Sequence, residues 1–169
     1  MSKRFRRHKR IIFIVLSVFA FIGVVATKVY FLISKLKKDV DFFFFKSNDR
    51  LDYSNEEFED TSVGCIYSSL EIDLSESLPI KDPMHLSIKS HYSTVEIIVP
   101  DDWNVRLQGS QQKGYIDNRI VFNQDDFDSP LLFVQYDTKS SLLEVKKSGE
   151  IEDFFVDESN KDLIDETSS

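Results

Sequence analysis

One cysteine, five glycines and four prolines in 169 residues leave little of what several kinds of protein are built from. The lone Cys65 excludes an intramolecular disulfide framework. Beside Gly64 at the head of a strand, it reads as a small buried hydrophobe. So few glycines leave no phosphate-cradling loop, and no serine stands in a Gly-x-Ser-x-Gly turn. His85 and His91 have no cysteine or paired carboxylate beside them at ligand spacing, so they give no metal site. Asp125, Asp126 and Asp128 lack the further oxygen ligands that a hard cation needs. The chain reads as non-enzymatic, without cofactor or metal.

Acids are absent from the first 38 residues, where residues 2–10 carry six Lys or Arg. Ile11–Ile33 follows, with Lys28 as its one charge. Those 23 residues at about 1.5 Å each reach roughly 34 Å, enough for a hydrocarbon core of about 30 Å. A transmembrane helix over 11–33 is the expectation; a cleaved signal peptide ending near Val24-Val25-Ala26 is the rival. Lys28 can snorkel from near the outer boundary. Lys35, Lys37 and Lys38 are outnumbered by the positive charges before the helix, so the N-terminus is expected in the cytoplasm and the rest of this single-pass protein outside the cell membrane. All 29 acids but only 11 of the 21 Lys and Arg lie beyond Lys38, leaving residues 39–169 with a formal charge of −18. Such a domain repels nucleic acid, which is not expected as a partner.

The domain boundaries follow composition: a basic tail over 1–10, the helix over 11–33, a juxtamembrane linker over 34–62, a β domain over 63–147 and an acidic tail of disordered character over 148–169. The linker contains Phe42–Phe45 and then a polar stretch without periodicity. In the tail, Phe154 and Phe155 are candidate docking residues.

The β domain is expected to be all-β, because its apolar residues recur with period two and no segment sustains a helical period. Gly64–Leu74 reads as one strand, and the apolar phase changes between Ile88 and Val95, which requires a bend near Ser90–Ser93. Gly109–Gly114 reads as a polar loop. Four passages share an aliphatic followed by an acid: Leu70-Glu71, Val95-Glu96, Ile116-Asp117 and Leu143-Glu144. Recurrence at intervals of 25, 21 and 27 residues points to a small β-solenoid of stacked strand repeats, with a Greek-key sandwich as the alternative. Glu71, Glu96, Asp117 and Glu144 then share an outward acidic face, the candidate partner-binding surface.

With those repeats in view, residues 64–147 resemble the C-terminal domain of LiaF-like proteins, the cell-wall-active antibiotics response family of Gram-positive bacteria, whose fold is called toastrack. The resemblance is carried by Ser-Ser-Leu-Glu-Ile at 68–72, Ser-Thr-Val-Glu-Ile-Ile-Val-Pro-Asp-Asp-Trp-Asn-Val at 93–105 and Ser-Leu-Leu-Glu-Val-Lys at 141–146. Family strands are typically introduced by Phe-Gly-Gly or a similar tight turn. Here Ser-Ser, Ser-Thr and Ser-Leu stand instead, which marks a divergent member. The resemblance implies a non-enzymatic membrane component of envelope-stress sensing or signalling that acts on a sensor kinase or related membrane protein. A structural, self-assembling surface module that forms homo-oligomers is the second expectation, with Gly23 and Thr27 on a weak small-residue stripe. An envelope enzyme is the third.

Overall fold

The structure, a computed structural model, describes the backbone of residues 3–149, with the side chains of Ser17 and of residues 20–149. The described chain divides at Asp39 into two units. The first is helix α1 (Lys3–Lys38), whose last turn carries Lys35, Lys37 and Lys38 where the helix dipole favours cations. Among the described residues no helix is long and apolar enough to cross a membrane. The opening of the expected span, Ile11–Leu16 with Val18 and Phe19, lies outside the residues whose side chains are described. The structure therefore adds no support to the transmembrane expectation.

The second unit is built of parallel strands wound in five stacked coils. The first coil holds β1 (Phe42–Phe45), β2 (Asn48–Asp52) and β3 (Glu57–Phe58); the second holds β4 (Thr61–Ile66), β5 (Ser69–Asp73) and β6 (Leu78–Pro79). β7 (Met84–His91) and β8 (Thr94–Val99) make the third, β9 (Asn104–Asn118) the fourth and β10 (Leu131–Lys147) the fifth. Every strand pairing is parallel, which rules out the Greek-key sandwich.

Three expectations are corrected. Residues 42–58 are not a linker: they form the first coil, β1 pairing with β4 and β2 with β5. Gly64–Leu74 is not one strand, because the chain turns a corner at Tyr67 between β4 and β5. Gly109–Gly114 is not a loop but the middle of β9. The bend between Ser90 and Ser93 is the equivalent corner at Tyr92.

Stacking does not follow chain order. β10 pairs with β7 and β8 on one side and with β9 on the other, so the last coil lies between the third and the fourth. Leu70 faces Val95, Val95 faces Leu143 and Leu143 faces Ile116. The four aliphatic–acid passages thus share one register, with the last two exchanged in space. Inward rows such as Ile72, Ile97 and Val145 fill the core, and Phe58 and Trp103 close its third side, tilted together at 6.4 Å. Full burial of each such side chain stabilises the domain by about 1.5–3 kcal/mol.

Candidate functional site

Of the six residues marked by sequence, four form a single outward row. Glu71 neighbours Glu96, Glu96 neighbours Glu144, and Glu144 neighbours Asp117, with Arg50 completing the row on the first coil. Like charges one strand apart, about 4.8 Å, repel. Here cations answer them: Arg50 contacts Glu71 at 3.2 Å and also Asp73, Lys146 pairs with Glu96, and Arg119 reaches Glu144 at 2.7 Å and Asp117 at 3.3 Å. Three cations thus offset most of the charge of the four acids. Phe154 and Phe155 lie outside the described residues.

The corner between the two sheet arms has its own ladder. Each coil turns there through one non-glycine residue in the left-handed region: Lys46, Tyr67, Tyr92, Ser140 and Lys113, with φ between 51 and 61°. Side chains in this region cost about 1–2 kcal/mol each. Serine follows in four of the five coils and holds the corner shut. The hydroxyls of Ser68, Ser93 and Ser141 donate to the carbonyls of Ile66, His91 and Lys139 at 3.1, 2.9 and 3.1 Å. Each hydroxyl also accepts an amide from the coil above: Ser47 N–H to Ser68 at 3.4 Å, Ser68 N–H to Ser93 at 3.1 Å and Ser93 N–H to Ser141 at 3.2 Å. On the outermost coil the position is Gly114, at φ 102°, where a Cβ would stand 2.1 Å from the Ser141 carbonyl oxygen.

Tyr67 and Tyr92 project from this corner as a parallel stack, centroids 5.0 Å apart and planes within 9°. The next coil has Ser140 where a third ring would stand; the coil beyond has Lys113 in that row, with Tyr115 two residues further along, beside Leu142. The missing ring leaves an open groove of about 610 Å³. Its walls are Tyr67, Tyr92 and Tyr115, respectively 51, 49 and 62 % exposed. No family model, curated protein or solved structure matches this chain.

None of the residues lining the groove carries a formal charge at neutral pH, although the domain around it is strongly acidic. The corner serines spend their hydroxyls on the ladder. The side-chain hydroxyls of Ser69, Thr94 and Ser140 and of the three tyrosines, all on residues lining the groove, make no hydrogen bond among the described residues. The residues expected from sequence to bind a partner do not include this site. Its signal was the tyrosine one residue before each hydroxyl pair: Tyr-Ser-Ser-Leu-Glu-Ile at 67–72 and Tyr-Ser-Thr-Val-Glu-Ile at 92–97.

Two lesser depressions flank the corner. One, of about 260 Å³, lies between the groove and the charged row, lined by Arg50, Ser69, Glu71, Thr94 and Glu96 among others. The other, of about 240 Å³, lies on the opposite arm beside Asp41, Asp60, Ser62 and His85. Hydrogen bonds from the Ser62 hydroxyl and amide hold the Asp41 carboxyl below its ordinary pKa. The Lys81 ammonium, followed by the His85 amide, does the same for Asp60. Both are acceptors that latch neighbouring coils together. Burial, followed by the Asp49 carboxylate, pushes the Cys65 thiol up to about 12, which makes it unreactive at neutral pH. Among the described residues no group of three or more His, Cys, Asp or Glu is arranged to hold a metal ion.

Proposed function

We propose that this protein is a membrane-anchored, non-enzymatic binding module of the cell envelope, and that the Tyr67–Tyr92–Tyr115 corner with the adjoining charged row receives its partner. One observation carries the reading: two bulky aromatic rings stand half in solvent on strained left-handed backbone, where glycine would cost nothing. Strain and exposed ring surface together fit a contact surface better than a fold requirement. The LiaF-like resemblance suggests the partner class, a membrane sensor kinase or related envelope protein in stress signalling. The anchor rests on the apolar sequence of 11–33 alone.

The rows at the two ends of the stack favour this over self-assembly of coil upon coil. In the first coil Asp49 occupies the row that elsewhere holds Leu70, Val95, Leu143 and Ile116. In the fourth, Asn118 and Gln111 continue the rows of Val145 and Thr138. Adding a further copy to either end would set polar groups against apolar core, at a cost of several kcal/mol for a carboxylate, about what native edge protection requires.

A photo-reactive amino acid at Tyr115 tests the reading in native membranes. A discrete adduct with a second membrane protein, absent when the same group replaces Gln108 on the other arm, is the expected result. Equal adducts from both positions, or none from Tyr115, would contradict it.

A further inference from the structure

We infer that the groove at Ser140 is a saccharide site, in which one neutral pyranose ring occupies the place of the missing third ring and lies with its C–H face on Tyr92. This rests on the reading of the corner as a binding surface and names the ligand class.

Three observations point to this chemistry. The first is width. From the coil of Tyr92 to that of Tyr115 is two strand steps, roughly 9.5 Å, and the Tyr67–Tyr92 stack uses 5.0 Å for one ring-on-ring contact. At Ser140 one ring of about the thickness of a tyrosine therefore fits on the free face of Tyr92, with Tyr115 to one side in the row of Thr94 and Leu142. Second, the lining is uncharged within a domain of formal charge −18, so the groove gains nothing from an ionic ligand and places no penalty on a neutral one. Third, the polar groups presented are hydroxyls: Ser69, Thr94, Ser140 and the phenols of Tyr67, Tyr92 and Tyr115. Each is both donor and acceptor and can turn to suit its partner, which matches the alternating donor–acceptor rim of a sugar. An aromatic side chain of a partner protein would fill the same gap but leave these hydroxyls unmet.

Because Tyr67 and Tyr92 already tolerate φ of 53 and 54°, Ser140→Tyr at φ 52° supplies the missing ring on a backbone that accepts it. The test is calorimetric titration of the full chain, in micelles of a sugar-free detergent, with cellotetraose, fully N-acetylated chitotetraose and maltotetraose. Saturable binding of at least one is expected, with a Kd on the order of 1 mM or tighter. Both Ser140→Tyr and Tyr92→Ala should weaken it at least about tenfold. Gln108→Ala, on the other arm, should bind as the parent does. Absence of saturable binding by all three sugars, or retention of binding by either groove variant, would overturn the inference. If the sugars fail while Ser140→Tyr still abolishes the Tyr115 adduct, the corner remains a binding surface for another ligand. If that adduct also persists, the functional reading falls with the inference.

Discussion

The Ser93 amide donates to the Ser141 hydroxyl across 3.2 Å, joining two residues 48 apart in sequence. The bond ties the third coil to the last rather than to the one that follows it in the chain. It also marks where the corner ladder passes from tyrosine-bearing coils to the one that lacks a ring, so the inserted coil both completes the core and creates the groove.

Removing that hydroxyl tests the ladder. Ser141→Ala leaves the buried Ser93 amide without an acceptor and should cost about 1–3 kcal/mol. Ser47→Ala, at the rim, should cost less. Urea unfolding followed by circular dichroism measures both, and equal losses would mean that the corner is not held as described.

The inserted coil should dominate stability. Leu143 is fully buried with a coil on either side, and Leu143→Ala should cost about 2–5 kcal/mol. Leu107, half-buried on the outer coil, should lose less on the same substitution. If fourth-coil substitutions proved the costlier, the stacking order would be wrong.

Cys65 predicts an alkaline limb. Its folded pKa of about 12 exceeds the ordinary thiol value of about 8.5, so between these the unfolded chain gives up a proton that the folded chain keeps. Stability should fall as pH rises through that window, by up to about 1.4 kcal/mol per pH unit. Cys65→Ala should flatten the slope in paired denaturation series at pH 8 to 10. Native Cys65 should also resist thiol reagents until the domain unfolds.

His91 predicts an acid limb of smaller extent. Burial, followed by the Lys139 ammonium, lowers its pKa, and the Asp137 carboxylate opposes only in part. Below the ordinary histidine range, near 6.5, the unfolded chain takes up a proton that the folded chain resists. Stability should therefore decline as pH falls from that point, and His91→Gln should reduce the decline.

How far the fold could be read from sequence varied with position in the stack. Interior coils have neighbours on both sides, so their inward rows are mostly aliphatic, and the Leu70, Val95 and Leu143 passages, with Ile116 on the outer coil, show a common register. The first coil has one neighbour. Its inward row holds Asp49 beside Leu51, which breaks the alternation and gives the coil the composition of a linker, although Ser47 precedes Ser68 by the same 21 residues that separate Asp41 from its partner Ser62. Coil order was not legible, because passages of identical register satisfy the same rows in any sequence of stacking. The acidic row was found, but not its cations: Arg50, Arg119 and Lys146 come from other coils or from positions two residues along. The groove is an absence, one ring missing from a row, and only stacking brings Ser140 beside Tyr92 and Tyr115 beside Leu142.

The central claim, that this gap at the corner is where the partner binds, is tested most directly by filling it. Ser140→Tyr should keep the parent's unfolding free energy to within about 1 kcal/mol, as expected for a surface change on backbone that already accepts tyrosine, while abolishing the adduct formed from a photo-reactive group at Tyr115. A folded Ser140→Tyr protein that still forms the adduct in parental yield would contradict the account.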